Sequence, residues 1–301
     1  MSTRAATVGV ARPASPARRL IADYVELTKP KVQSLLLLTT VATMLVAGSP
    51  SVSLVLLTCL GGYLSAGGAG AVNHWFDRDI DAQMTRTATR PIPSGRVAPN
   101  AALVFGFVLA ALSLVELSLF VNTTAALLSF SGFLGYVFVY TVWLKRRTPQ
   151  NIVIGGAAGA VPPLVGWAAV RGTVGGTAIL LFAIVFFWTP PHFWALSLLM
   201  KDEYAKVGVP MLPVVRGEDE TRRQILLYSV LLYAVTQLPF CAGGFGAIYL
   251  VASLILGGAF IGGAVLLQRR ADRRSALKLY LFSLLYLALL FCAMVIDAKV
   301  I

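Results

Sequence analysis

The chain has 301 residues, 57% hydrophobic and only 13% charged, against about 25% charged in a soluble domain. Recurring apolar runs of roughly 17–25 residues exclude a soluble fold, and their lack of strict alternation excludes a membrane barrel. The net charge of +12 does not mark a nucleic-acid binder, because the basic residues sit in short connections between apolar runs.

In chain order, residues 1–20 are rich in Ala, Arg, Pro and Ser and lack an apolar core, so they are no secretory signal. They read as a disordered cytoplasmic tail, and their acid-free, Arg-rich character also fits a mitochondrial presequence. Residues 21–301 read as one all-α domain of nine transmembrane helices, near 30–48, 54–76, 100–121, 123–143, 151–170, 177–200, 223–243, 246–267 and 277–297. Taking alternate connections, one side holds all of the 25 Lys and Arg except Arg171 and Lys299. The positive-inside rule makes that side cytoplasmic, with the N-terminus inside and the C-terminus outside. The outer connections are tiny, whereas two inner ones, about 77–99 and 201–222, are long, and function concentrates in long loops. Each follows an even-numbered span, four spans apart, a weak hint of a duplicated bundle. Cys59, Cys241 and Cys292 fall inside apolar runs without metal spacing and read as small buried side chains.

The second span ends in AVNHWFDRDIDAQMTR, Ala71 to Arg86. Asn73, Asp77 and Asp81 are spaced i, i+4, i+8, one helical face that drifts by about 40° per step, while Asp79 points nearly the other way. A carboxylate at mid-bilayer costs roughly 2.5–3.5 kcal/mol, less at the interface, so this placement needs a reason. One is a solvated helix end paired to Arg78 or Arg86. The other is a divalent-cation site, since carboxylates and an amide oxygen are hard ligands that suit Mg²⁺ with substrate phosphate. Arg86 and Arg90 follow, then Pro91 and Pro93 stop any helix, and the next inner loop supplies Lys145, Arg146 and Arg147. Arg147 reads as a topological signal. Acids, bases and an apolar chamber on one face together describe a diphosphate with a lipid tail. Further on, FFWTPPHFWALSLLMKDEYAKVGVPMLPVV places Pro190 and Pro191 inside a span, where a broken ladder is expected, with His192 immediately after. Asp202 and Glu203 either close a second metal position or begin a wet loop. No Ser-His-Asp or Cys-His set is visible.

The pattern NxxxDxxxD at Asn73, Asp77 and Asp81 resembles the first aspartate-rich motif of the intramembrane UbiA-type prenyltransferases. Leu27–Val32 (LTKPKV), NHWFDRDIDAQMTRTATRPIPSG, YTVWLKRRTPQNIVIGGAAGAVPPLVGW and the FFWTPPHFWAL stretch are similar, within them, to the protohaem IX farnesyltransferases, or haem O synthases. The resemblance covers nearly the whole chain from about residue 20. It implies a helical bundle around a central cavity open to the cytoplasm, and transfer of farnesyl from farnesyl diphosphate to a vinyl group of haem b. It also implies Mg²⁺ held by Asp77, Asp81, Asn73, Asp202 and Glu203, with Arg86, Arg90, Lys145 and Arg146 on the diphosphate. His192 falls near the haem, as an iron ligand or a propionate contact, and His74 has a packing or supporting role. Many members of the superfamily carry a second DxxxD, but here the fourth residue after Asp202 is Lys206, so the adjacent pair Asp202-Glu203 replaces it. A bacterial cytoplasmic membrane is expected, with a mitochondrial inner membrane as the alternative and haem A synthase as a possible partner. Rival readings are a superfamily member acting on an aromatic acid or a chlorophyll precursor, against which WTPPHFWAL argues, and a transporter.

Overall fold

The structure is a computed structural model and describes residues 15–300. Among these, nine helices are long and apolar enough to cross a membrane. Four are α2 (Pro30–Ala47), α3 (Val52–Phe76), α5 (Pro99–Phe120) and α9 (Gly176–Leu199). Three more are α12 (Gly217–Cys241), α13 (Ala247–Arg270) and α14 (Arg273–Val300). The remaining two are composite. Thr123–Leu144 begins as α6 (Thr123–Leu134) and widens into a π-helix over Gly135–Leu144. Asn151–Arg171 joins α7 (Asn151–Gly159) to α8 (Val161–Arg171). Short helices α4 (Arg78–Asp81), α10 (Lys201–Lys206) and α11 (Leu212–Val215) punctuate the two long connections.

Local chemistry sets the ends of these helices. Pro30 and Pro99 occupy first turns, where the missing N–H costs nothing. The side chains of Ser51 and Asn122 cap α3 and α6 by accepting from Leu54 N and Ala125 N. α12 starts six residues before its apolar run because Glu218, Asp219 and Glu220 suit a helix N-terminus.

Residues 16–20, expected to be part of an unstructured tail, instead open α1 (Pro16–Leu27), with Ser15 as N-cap and Pro16 in the first turn. Residues 1–14 of that tail lie outside the described residues. α1 buries Leu27 and packs Tyr24 edge-on against Phe105, while Leu20, Ile21 and Val25 stay exposed. The expected break at Pro190–Pro191 does not occur either, since α9 runs through both prolines. Helices in lipid tolerate proline where neighbours resatisfy the backbone, and α12 and α14 pack along α9. The cysteines differ as well: Cys241 and Cys292 are exposed and Cys59 is half-buried, on helix faces turned outward.

The bundle buries large side chains such as Tyr249, Phe260, Tyr286 and Phe291, yet turns other large apolar ones outward. Leu119, Ile255 and Leu281 are exposed, as expected of a surface that meets acyl chains rather than water. This is an integral membrane protein. Close approach of helices depends on glycine. A Cβ on Gly68 would stand 2.5 Å from Gly106 O, joining α3 to α5, and one on Gly166 would stand 2.3 Å from Thr40 O, joining α8 to α2.

The two ends of the bundle differ. At one, the long connections meet: Arg96 pairs with Asp23, Arg146 with Asp79, and Glu203 accepts from Thr85. At the other, tight turns are tied by Asn122 and Thr124 donating to Ala168 O and Gly172 O, and by Lys299 donating to Gly48 O.

Gly166→Ala is expected to lower the melting temperature of the detergent-solubilised protein. The helix-propensity gain is about 1 kcal/mol, whereas overpacking against a backbone carbonyl costs about 1–3 kcal/mol and the contact at Thr40 is severe. Gly262→Ala, which meets nothing within 4 Å, should leave the transition in place or raise it.

Candidate active site

The site forms where α3 ends at the loop-rich face. The backbone ladder continues through the helix end, Asp77 N donating to Asn73 O at 2.9 Å and Asp81 N to Asp77 O at 2.8 Å. The i, i+4, i+8 spacing therefore holds, and Asn73, Asp77 and Asp81 are all at least 97% buried. Asp79 points away and is 57% exposed, as the spacing predicts. Arg146 grips it through two nitrogens at 2.6 and 2.7 Å and lies over the Phe76 ring. This pairing holds the Asp79 carboxyl below its ordinary value. It also commits the Arg146 fork to the rim of the site, 3.6 Å from Asp77 Oδ1.

Inside the site, acids and bases alternate. Asp77 Oδ2 accepts from Lys145 Nζ and, at 2.7 Å, from Asn73 Nδ2. Asp77 Oδ1 is buried and accepts nothing. Asp81 Oδ2 accepts from Arg90 at 2.6 Å. Arg86 is exposed, and its charge reaches Tyr204.

Four contributors escape sequence reasoning. Lys29, between α1 and α2, donates to Asn73 Oδ1 at 2.6 Å and to Tyr136 OH at 3.4 Å. Burial, then the charges of Arg90 and Lys145, push its ammonium down to about 7. Its signal in the sequence is the LTKPKV stretch, where it precedes the proline that opens a span. Tyr136 and Thr141 come from the π-helical stretch, Thr141 Oγ1 accepting from Asn73 Nδ2 at 3.2 Å. In an α-helix Tyr136 and Lys145, nine residues apart, would face opposite ways. The wider π turn, about 4.4 residues, brings them to one side. Nothing in the residue pattern announces this. The fourth is Tyr204 of α10, within electrostatic reach of Arg86, Arg90, Asp77 and Asp81.

Tyr204 explains a correction. Asp202 and Glu203, expected as metal ligands, are not delivered to the aspartates. Asp202 is exposed because two residues along α10 put it opposite Tyr204. Glu203 accepts from Thr85 N at 2.8 Å and Thr85 Oγ1 at 3.0 Å, tying the two long connections together. Among the described residues no group of three or more His, Cys, Asp or Glu side chains could hold a metal ion. Asn73 uses its amide to connect Lys29, Thr141 and Asp77. His192, on α9, bonds Ser283 of α14 through Nδ1 at 2.7 Å and stacks between Trp188 and Tyr280. His74 is buried with both ring nitrogens unpartnered.

A buried pair of carboxylates ringed by four bases, at the end of an apolar bundle, is built for a multivalent anion on a lipid. The UbiA prenyltransferase family matches residues 35–290. The chain belongs to this family. Among relatives of this UbiA-type chain, a protoheme IX farnesyltransferase of Symbiobacterium thermophilum is 52% identical over 283 residues, 93% of this chain and 95% of its own length. One of Chloroflexus aurantiacus is 54% identical over 299 residues, 98% of this chain but 51% of its own. The chain thus spans about half the length of the first curated relatives it matches. The same fold occurs in a structure described as a digeranylgeranylglyceryl phosphate synthase, with TM-score 0.78, 22% identity, and coverage of 94% of this chain and 100% of that one. It occurs also in a UbiA homologue of Archaeoglobus fulgidus bound to GPP and Mg²⁺, with TM-score 0.65, 16% identity, and coverage of 90% and 99%.

The placement separates neighbours on α10. Asp202→Asn should leave kcat/KM for prenyl transfer within about a factor of three, the range of a surface change. Tyr204→Ala should lower it at least about tenfold by loosening the walls that orient the substrate. Steady-state assays of the two variants check the order, and a larger loss at Asp202 would contradict it.

Proposed function

We propose that the protein transfers the farnesyl group of farnesyl diphosphate to a vinyl group of protohaem IX, making haem O, with Mg²⁺ at Asp77 and Asp81. The alternating acid–base cluster carries this reading. The near full-length relative of Symbiobacterium thermophilum, a protoheme IX farnesyltransferase by name, supports the acceptor. The Archaeoglobus fulgidus homologue, bound to GPP and Mg²⁺, supports the donor and the metal. We place the loop-rich face, and so the site, on the cytoplasmic side of a bacterial membrane, following the charge bias.

The residues fit a small hard cation in part. Asp77 Oδ1 is a buried carboxylate oxygen that accepts no hydrogen bond and has only the Arg146 guanidinium, 3.6 Å away, which favours a cation there. Asp77 and Asp81 supply two carboxylates, and Mg²⁺ ordinarily takes its other ligands from substrate phosphate and water. Asn73 serves to orient Asp77, and Asp202 and Glu203 lie outside this set. When bound, the metal would neutralise the diphosphate and make it a better leaving group.

The chain's own residues do the rest. Lys145 and Arg90, which here neutralise Asp77 and Asp81, are positioned to turn to the diphosphate oxygens once those carboxylates hold a cation. Arg86 and Arg146 add charge at the rim. As the farnesyl C–O bond breaks, its electron pair leaves with the diphosphate, and these fixed charges stabilise it. The remaining allylic cation lies within the bundle, where bulk water is excluded. Tyr136, which accepts from Lys29 at 3.4 Å, packs its ring 5.4 Å from that of Tyr140 beside the aspartates. The vinyl π pair then forms the new C–C bond, the positive charge passes to the carbon beside the porphyrin, and water adds there with loss of a proton. No side-chain nucleophile is needed. His192, fixed by Ser283 and its aromatic stack, serves the haem side.

The test is purified protein with farnesyl diphosphate and haem b, or with 4-hydroxybenzoate. A haem heavier by one farnesyl and one hydroxyl group is expected from the first alone. EDTA should abolish it and Mg²⁺ restore it. Asp77→Asn should cost on the order of a hundredfold or more in kcat, with the protein still inserted. Product only from the benzoate, or solute flux into liposomes with no covalent product, would overturn the reading.

A further inference from the structure

An open cavity of about 530 Å³ lies between α1 and the start of α2. Glu26, Lys29, Lys31, His74 and Arg90 line it, with Val25 among its apolar walls. Two features distinguish it from a surface dimple. His74 forms part of its wall at 2% exposure, and neither of its nitrogens has a partner. A buried imidazole can donate one hydrogen bond and accept one, and leaving both unmade is costly. Of its three basic side chains, Lys29 and Arg90 already bond Asn73 and Asp81, which leaves Lys31, while its one acid, Glu26, meets Arg96 at 3.3 Å.

Neither Asp77 nor Asp81 lines this cavity. A diphosphate bridged by metal to those carboxylates is therefore poorly served here. An anion that needs no metal is served well, and carboxylate is the common one. Of the substrates proposed above, only the acceptor carries carboxylates. We propose that this cavity cradles the propionate edge of protohaem IX, with Lys31 as the cation and His74 as a hydrogen-bond donor. Lys29 links the cradle to the reaction centre, since the same ammonium that lines the cavity bonds Asn73, the partner of Asp77.

The inference rests on protohaem IX as acceptor, and the experiment separates the two claims. The full chain in nanodiscs is titrated, without farnesyl diphosphate, with haem b and with its propionate dimethyl ester, following the Soret band. Wild type should bind the ester roughly tenfold or more weakly, the size of a lost charged hydrogen bond. Lys31→Gln and His74→Gln should each weaken haem b by a similar factor and leave the ester unchanged. In turnover they should raise KM for haem b, with kcat and KM for farnesyl diphosphate held. Equal weakening of acid and ester would mean packing alone and overturn the cradle. A raised KM for farnesyl diphosphate would make the cavity part of the diphosphate site, and a changed Soret position in His74→Gln would make His74 an iron ligand. Should the buried histidine variant fail to fold, the exposed Lys31 decides. Wild type that binds no haem b would sink the acceptor itself, whereas binding without discrimination would sink only the cradle.

Discussion

Asp77 is a carboxylate with 1% of its surface exposed, at the end of a helix that has just crossed an apolar bundle. Much of the loop-rich face can be understood as what that charge requires. Removing one partner from a buried ion pair costs about 3–5 kcal/mol, a large share of any protein's stability. The carboxylate draws Lys145 from the end of the fourth span and Asn73 from one turn back. Asn73 in turn engages Lys29, ahead of the first span. Asp81 draws Arg90 from the following loop. Segments far apart in sequence are thus fixed to one point by charge, where apolar packing alone would allow them to slide.

The same pairs make the site ready to bind. In the proposed reaction, a cation on Asp77 and Asp81 would release Lys145 and Arg90, the charges a diphosphate needs. The arrangement is unequal: Asp77 Oδ2 accepts from both Lys145 and Asn73, while Oδ1 accepts no hydrogen bond and has only Arg146 at 3.6 Å. Glu203 and Arg146 belong to a different layer. They tie loop to loop at the rim, through Thr85 and Asp79, and so hold the walls around the inner cluster.

The bundle was legible in the sequence because lipid imposes one rule, a long apolar helix, and all nine spans lie close to their expected ranges. Asn73, Asp77 and Asp81 were legible because helical spacing survives the end of α3. Asp202 and Glu203 were not, because their placement turns on the phase of a six-residue helix that no long apolar stripe reports. Tyr136 and Lys145 were hidden for a sharper reason: they share a face only in the π-helical turn, and a reading based on 100° per residue separates them. Proline misled in the other direction, since its penalty at Pro190 and Pro191 is absorbed by tertiary packing invisible along the chain. The exposed cysteines follow from a burial rule carried over from water, where outside means wet.

Lys29 shows how far the charge at Asp77 reaches. Its backbone is left-handed, with φ 54°, a conformation that costs a non-glycine residue roughly 1–2 kcal/mol. Pro30, which opens α2, restricts the residue before it further. A glycine would relieve that strain, but it would have no ammonium. The left-handed turn instead reverses the chain between α1 and α2 so that the side chain points into the bundle, where it bonds Asn73 and Tyr136 together. The strain is thus offset by buried hydrogen bonds to Asn73 and Tyr136, worth about 0.5–1.5 kcal/mol each. α1 is held to the bundle partly through this one residue. A ligand that engages Lys29 would therefore act on the seating of α1 and on the orientation of Asp77 at once, coupling the proposed acceptor cradle to the carboxylate proposed to hold the metal.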